Sequence, residues 1–255
     1  MESSKRRATG CSAGTASSGL AARVVRQWRP ANARRRPSAT LLRGLSGRSR
    51  AIGQACIPAR FQAHSFASFI ADTPAKIHAV TVVRDFVEQF DAGLESGAGL
   101  ILAGLPGTGK THLAAAAMME LVSRRRWVQY VTCLDMIRIV RETWRKNAEQ
   151  TEREVLRTLG VSVDLLVIDE VGVQYGTDSE QTVIFEIMDK RYAEMRPTIL
   201  ITNQDKQGFR DYVGERVADR LRQTHDWVAF DWPSYRPTAR KDVGPGSVRG
   251  GRGKP

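Results

Sequence analysis

The sequence predicts an α/β fold in which a parallel five-stranded sheet is flanked by helices. The first observation is that short apolar runs alternate with longer segments of helical periodicity, an order typical of parallel sheets with right-handed crossovers. The second is a glycine-rich run that follows the first apolar run and opens a helical segment. The third is an apolar run further along the chain that ends in two consecutive acids.

Five apolar segments have the length and composition of strands. They are residues 99–103, 127–131, 164–168, 198–202 and 227–230. From Leu165 the third is apolar without interruption until it reaches Asp169, as expected of a central strand that is covered on both faces. These segments supply the five strands of the predicted sheet.

Six segments between and around the strands have helical patterns. They are residues 76–93, 110–125, 134–147, 149–158, 178–193 and 214–223. The first carries an apolar face made of Ile77, Val80, Val83, Phe86, Val87 and Phe90, and Gly93 and Gly97 are expected to end it. Each strand is thus separated from the next by at least one predicted helix.

Charge divides the chain into three parts. The net charge of +12 is made of +11 over residues 1–50, −4 over residues 51–232 and +5 over residues 233–255. The central part is slightly acidic, so the chain is not a basic nucleic-acid-binding domain throughout. We expect a basic, disordered extension over 1–55, a folded domain over 56–236 and a flexible Gly- and Arg-rich tail over 237–255.

Three interpretations fit residues 1–55. The segment is rich in Arg, Ser, Ala and Gly and has a single acid, Glu2. It could be a basic arm that contacts nucleic acid, an organelle transit peptide, or an extension without a fixed role. Residues 20–28 could form a short helix within it.

Composition also excludes several classes of protein. No window approaches the roughly 18–20 continuous apolar residues of a membrane span, so an integral membrane protein is not expected. The three cysteines, Cys11, Cys56 and Cys133, are far apart and lack the spacing of metal ligands. A disulfide framework and a zinc site are therefore not expected, and a reducing cytoplasm is the simplest location.

The glycine-rich run matches G-x-x-x-x-G-K-[ST], the P-loop (Walker A) pattern, in full. Its residues are Gly104, Leu105, Pro106, Gly107, Thr108, Gly109, Lys110 and Thr111. Its backbone N–H groups and the helix that follows favour phosphate oxygens. Lys110 is expected to reach the β- and γ-phosphates of ATP, and the Thr111 hydroxyl to bind Mg²⁺. His112 comes next and is included in the predicted ATP-binding segment, although packing within the helix is its expected role.

Two acids complete the predicted chemistry of a P-loop NTPase. Asp169, at the end of the third strand, is expected to hold Mg²⁺ directly or through water. Glu170 is expected to orient and deprotonate the attacking water. Asn203 ends the next strand and could hold the same water, although an Asn at a strand end is common.

These motifs, in this order, resemble the AAA+ ATPase domain of DnaC-type replicative helicase loaders. They are also similar to the transposition helper ATPases of the IstB type. The resemblance covers residues 61–236. It is carried most specifically by residues 104–113, 163–174, 196–198 with 202–203, 214–222 and 231–236. The Gly172-Val173-Gln174 continuation and the Trp232-to-Arg236 ending favour the loader side.

The resemblance implies further roles and partners. Arg220 matches the arginine that completes a neighbouring subunit's site, and Arg216 is the reserve candidate. Arg236 matches a second arginine that contacts nucleotide within its own chain. The implied function is ATP hydrolysis that loads a DnaB-like replicative helicase on single-stranded DNA, by an ATP-dependent homo-oligomer. The IstB-like role in transposition stays the alternative.

Two features leave the function open at this stage. Residues 1–55 do not look like the folded helicase-binding element that such loaders carry before the ATPase domain. On the segment 134–147, Arg138, Arg141 and Arg145 share one face and could follow the phosphates of a single strand, or could form a solvated charged face in which Arg138 pairs with Glu142.

Overall fold

A computed structural model describes residues 52–173 and 177–236 of the chain. The predicted extension, with its short helix at 20–28, and the predicted tail lie almost entirely outside the described residues. Within them, no helix is long and apolar enough to cross a membrane.

The predicted sheet is confirmed. Its strands are β1 (Gly99–Gly104), β2 (Val128–Thr132), β3 (Leu165–Val171), β4 (Thr198–Thr202) and β5 (His225–Phe230). They are all parallel and lie in the order β2-β3-β4-β1-β5. The first strand along the chain is therefore an interior strand, between β4 and β5.

Eight α-helices surround the sheet in the described part of the chain. They are α1 (Pro74–Glu88), α2 (Phe90–Ser96), α3 (Lys110–Ser123), α4 (Cys133–Glu142), α5 (Glu152–Arg157), α6 (Asp178–Ala193), α7 (Lys206–Val213) and α8 (Glu215–Thr224). A short π-helical turn, Thr158–Ser162, follows α5.

Two apolar cores lie on the two faces of the sheet, because successive strand residues point to opposite sides. Leu100 and Leu102 of β1 belong to the core shared with α1, α2 and α3. Ile101 and Ala103 belong to the core shared with helices α4 to α8. The result is three layers, with the carboxyl ends of all five strands at one edge, where ligands of such sheets bind.

The first predicted helix is two helices. Thr73 caps α1, whose buried residues are Ala79, Val83 and Val87, and α2 ends at Gly97 with φ 72°. Ile77, expected on the apolar face, is 53% exposed, since the stripe that packs on the sheet runs through every fourth residue from Ala79.

Other differences lie at helix ends and in one missed helix. α4 begins at Cys133, because the Thr132 side chain accepts the Asp135 N–H, and it ends at Glu142 rather than at 147. No helix was predicted over α7, which is short and contains Gly208. Its cap was nevertheless readable, since the Asp205 side chain accepts the Gly208 N–H at 2.8 Å.

Candidate active site

The P-loop connects β1 to α3 at the carboxyl edge of the sheet. Its backbone needs glycine at three positions, where φ is 145° at Gly104, 81° at Gly107 and 98° at Gly109. A side chain at Gly107 would overlap the Ser234 hydroxyl, and one at Gly109 would overlap the Phe69 ring. The three glycines thus have positive φ values, and two of them lie against neighbouring side chains. A loop of this kind can direct its backbone N–H groups at an anion.

Lys110 is a buried cation at the start of α3. Its Nζ donates to the carbonyl oxygens of Gly104 and Leu105, at 2.7 and 2.8 Å. The pKa of Lys110 is lowered to about 8, mainly by burial; Asp169 opposes this shift and Arg236 adds to it. A phosphate group beside Nζ would supply the negative charge that the two carbonyl groups lack.

Asp169 is the centre of a compact set of hydrogen bonds. Its Oδ2 accepts from the Thr111 hydroxyl at 3.0 Å and from the Tyr130 hydroxyl at 2.8 Å. Its Oδ1 accepts the Glu170 N–H at 2.7 Å. The carboxylate is buried on the side of the sheet that carries α3, so it faces the P-loop helix.

Glu170 differs from Asp169 because the strand is irregular between them. The pairing of β3 with β4 shifts between Ile168 and Val171, and Glu170 has φ 60°. Its side chain is exposed at the carboxyl edge while Asp169 stays buried. Partial burial, then Asp169 and Asp135, raise the pKa of Glu170, which favours a role in accepting a proton.

The segment after β5 closes over the P-loop. The Trp232 indole N–H donates to the Thr108 carbonyl at 3.0 Å, and the Tyr235 N–H donates to the Gly107 carbonyl at 3.0 Å. Arg236 lies beside Gly107 and close enough to lower the Lys110 pKa. The arginine expected to contact nucleotide in its own chain is thus at the loop.

Asn203 follows β4, the strand that lies between β3 and β1. It is exposed at the same edge as Glu170 and the P-loop. His112 points elsewhere. Its Nε2 lies 3.0 Å from the Ser65 carbonyl oxygen and 3.1 Å from the Ser68 hydroxyl, so it packs against the segment before α1.

Arg220 lies at the opposite edge of the sheet. It lines a small pocket with residues at the amino ends of strands, including Thr198 and His225. Its guanidinium pairs with Asp189 and stacks on Phe185 and Tyr192. A strand of five or six residues spans about 17–20 Å, so Arg220 cannot reach the P-loop of its own chain.

Arg216 lies one turn before Arg220 on α8 and is exposed. The arginines of α4 do not form one free stripe. Arg138 pairs with Asp135 at 3.4 Å rather than with Glu142, and Arg141 donates to the Ser179 hydroxyl at 2.7 Å. Arg145 lies beyond the end of the helix, so the expected shared face with it is wrong.

Tyr130 is the residue of this site that the sequence did not reveal. It lies on β2, next to β3, and its only signal was an aromatic near the carboxyl end of a strand. The sequence does not indicate on which side of the sheet the Tyr130 ring lies, or that the Tyr130 hydroxyl reaches Asp169.

Comparisons with known proteins agree with this geometry. Residues 71–242 match the family model described as "IstB-like ATP binding protein". The chain is 39% identical over 173 residues to the replicative helicase loader DnaC of Escherichia coli strain K12. The aligned region covers 68% of this chain and 69% of the relative.

Two solved structures are similar. A crystal structure of the DnaC helicase loader superposes with a TM-score of 0.60 at 23% identity, covering 67% of this chain and 98% of that one. A replication initiator DnaA bound to AMPPCP and single-stranded DNA has a TM-score of 0.57 at 26% identity, covering 67% of this chain and 50% of that one. The first shows the fold, and the second shows it with a nucleotide in place.

Proposed function

Because this chain belongs to the IstB-like ATP-binding family and, within it, to the DnaC-type replicative helicase loaders, we propose that it hydrolyses Mg·ATP to load a replicative helicase on single-stranded DNA. ATP binding and a loader function follow from the family. Hydrolysis, the metal and the partners are the proposed part.

One observation carries the proposal: Lys110, Thr111, Asp169 and Glu170 converge at one edge of the sheet. Lys110 is a buried cation that contacts carbonyl groups, which fits the phosphates of ATP. Thr111 and Asp169 present hard oxygen donors 3.0 Å apart, the chemistry that Mg²⁺ prefers. The residues present therefore fit both groups.

Each of these residues has a separate task. Lys110 and the loop amides of residues 104–111 hold the phosphates, and Thr111 and Asp169 hold Mg²⁺. The bound ion neutralises charge on the phosphate oxygens. Glu170 accepts the proton of the attacking water, which Asn203 helps to orient. Arg236 contacts the nucleotide from above the loop.

The site is completed by a second copy of the chain. Arg220 lies on the edge of the sheet that faces away from its own nucleotide, so it can act only on a neighbour's. Such an arginine stabilises charge in the transition state of ATP hydrolysis on the neighbouring subunit. Because the nucleotide then contacts both subunits, ATP would hold them together. We assign Arg220 this role, with Arg216 in reserve.

The partners are inferred from relatives. The name of the relatives implies a replicative helicase, which we infer to be DnaB-like, and the DnaA structure contains single-stranded DNA. Both support a role in replication, and we infer from it that the chain acts in the bacterial cytoplasm. The transposition role is not favoured, because relatives at 33–39% identity are named as replicative helicase loaders.

A loading assay tests this function. The full chain is mixed with its cognate replicative helicase, circular single-stranded DNA and Mg·ATP, and the helicase that stays on the DNA is measured.

Glu170→Gln should bind ATP but lose roughly 10²-fold or more in ATP turnover, because the amide cannot accept a proton. Glu95→Gln, an exposed acid on α2, is the matched control and should turn over normally.

Two outcomes would contradict the proposal. Near-normal hydrolysis by Glu170→Gln would move the catalytic base elsewhere. If the chain instead retains no helicase and assembles with ATP on duplex DNA, the transposition role is the correct one.

A further inference from the structure

Tyr130 makes a contact with the site that the ATPase motifs do not include. Its hydroxyl lies 2.8 Å from Oδ2 of Asp169, the oxygen that also accepts from Thr111. We propose that Tyr130 is a positioning residue, which holds the Asp169 carboxylate in the orientation that binds Mg²⁺ with Thr111. This inference rests on the proposed Mg·ATP chemistry.

The direction of the hydrogen bond follows from the charge of Asp169. An ionised carboxylate only accepts, so the tyrosine must donate. Burial, and then the negative charge of Asp169, raise the pKa of Tyr130, which keeps the phenol protonated. A hydrogen bond to a charged acceptor is among the stronger ones in a protein.

The position of Tyr130 allows only a long side chain to make this contact. Thr132 is the β2 residue paired with Asp169, and Tyr130 lies two residues before it on the same face of the sheet. The phenol spans that diagonal, and its ring is buried in the core beside α3. Phenylalanine would therefore keep the packing and remove only the donor.

The hydrogen bonds at Asp169 indicate what the Tyr130 hydroxyl contributes. Oδ1 is held by the Glu170 N–H, and Oδ2 is held by two hydroxyls from different elements, α3 and β2. Without Tyr130, the carboxylate would depend on Thr111, which is itself an expected metal ligand. Partners that orient a metal ligand typically affect metal affinity by 10–100-fold.

The experiment measures how nucleotide binding depends on Mg²⁺. A fluorescent ATP analogue is titrated into the full chain at increasing Mg²⁺ and again in EDTA. Tyr130→Phe should need roughly 10-fold more Mg²⁺ for half-maximal binding, while binding in EDTA stays unchanged. Tyr212→Phe removes another buried hydroxyl, which contacts Cys133 on the other face of the sheet, and should leave the Mg²⁺ dependence unchanged.

A double variant shows whether the effect passes through Asp169. In an Asp169→Asn background, Tyr130→Phe should cause no further change, because the group that it positions is gone. A folded Tyr130→Phe protein with the wild-type Mg²⁺ dependence would overturn the inference, as would an equal loss in both backgrounds. Should Tyr130→Phe fold poorly, Tyr130→Met keeps a long apolar side chain without a hydrogen-bond donor and is judged by the same titration. Failure of wild-type protein to bind Mg·ATP would instead contradict the proposed function.

Discussion

Lys110 is held in the loop by two carbonyl oxygens, so its protonation depends on what else enters the loop. Its pKa is about 8 in the protein described here, and a triphosphate beside it would raise that value. Below pH 7, Lys110 is then protonated with or without ATP. Above about pH 8, it is protonated only when ATP is bound. Binding should therefore take up a proton as the pH rises through 8.

We predict that ATP affinity falls between pH 7.5 and 9.5, approaching a tenfold loss per pH unit at the alkaline end. Isothermal titration in two buffers of different ionisation enthalpy measures the proton uptake directly. Glu170→Gln should keep this alkaline dependence, since a carboxyl group titrates at lower pH. Lys110→Ala should bind weakly and without proton uptake. An affinity that is constant over this range would show that Lys110 is fully charged before ATP arrives.

Some residues of this site can be predicted from motif spacing, whereas the role of others depends on how the chain packs. Lys110, Thr111, Asp169 and Glu170 could be predicted because each motif ties residue type to the end of a strand or the start of a helix. Tyr130 could not, because its role depends on the side of the sheet and on the length of a phenol. The exposure of Glu170 beside the buried Asp169 also depends on an irregular strand that no residue pattern announced.

At the scale of elements, Arg191 joins four segments around one buried guanidinium. It lies on α6 and is 1% exposed. Its donors contact the Thr198 hydroxyl on β4 at 2.7 Å and four carbonyl oxygens at 2.5–3.2 Å. Those carbonyl groups belong to Leu159, Val163, Asp164 and Pro197, at the starts of β3 and β4 and in the turn after α5.

Arg191→Ala should lower the free energy of unfolding by roughly 3–5 kcal/mol, because it leaves a cavity and several buried carbonyl groups without donors. Urea denaturation monitored by circular dichroism measures the loss. Arg222→Ala, which removes an exposed arginine paired with Asp219, should change stability by about 1 kcal/mol or less. Equal effects of the two variants would mean that the Arg191 contacts contribute little net stability.

α6 is a helix whose bounds a local cap marks in the sequence. α6 has a capping box at Thr177 and Glu180, and its bounds were predicted correctly. The division between α1 and α2 was not predicted, because a continuous apolar pattern runs across Gln89.

At the scale of the whole molecule, the two edges of the sheet carry complementary halves of the proposed site. Arg220→Ala should bind ATP almost normally but lose about 10³-fold or more in hydrolysis, by analogy with other arginine fingers. Mixing it with Lys110→Ala should restore part of the activity, since one protein supplies an intact pocket and the other an intact arginine. Steady-state phosphate release measures the rescue.

The Asp189 pair provides the control for this experiment. Asp189→Asn removes the intramolecular partner of Arg220 but keeps the arginine, so it should retain more activity than Arg220→Ala. A mixture that co-assembles yet stays inactive would show that Arg220 does not act across the interface, and Arg216 would then be tested in the same way.

The basic extension is expected to matter for binding rather than for stability. Deleting residues 1–50 removes +11 of charge, and the melting temperature should change by only about one or two degrees. Affinity for single-stranded DNA should weaken and depend less on salt, because fewer phosphates are neutralised. Replacing the 12 Lys and Arg residues of the segment by Gln separates charge from length. A large loss of melting temperature would show that these residues belong to the folded domain.

The place of β1 inside the sheet limits the order in which the sheet can form during synthesis. β1 leaves the ribosome first of the five strands, yet its two neighbours are β4 and β5, the last to appear. Both edges of β1 stay unpaired until β4 and β5 are made, which start at Thr198 and His225 while β1 starts at Gly99. Such distant pairing predicts slow folding and a need for protection of that strand during synthesis. The P-loop that follows β1 also acquires its cover, Trp232 and Tyr235, only at the end. Nucleotide capture by a nascent chain would consequently mark the moment at which the whole domain has closed.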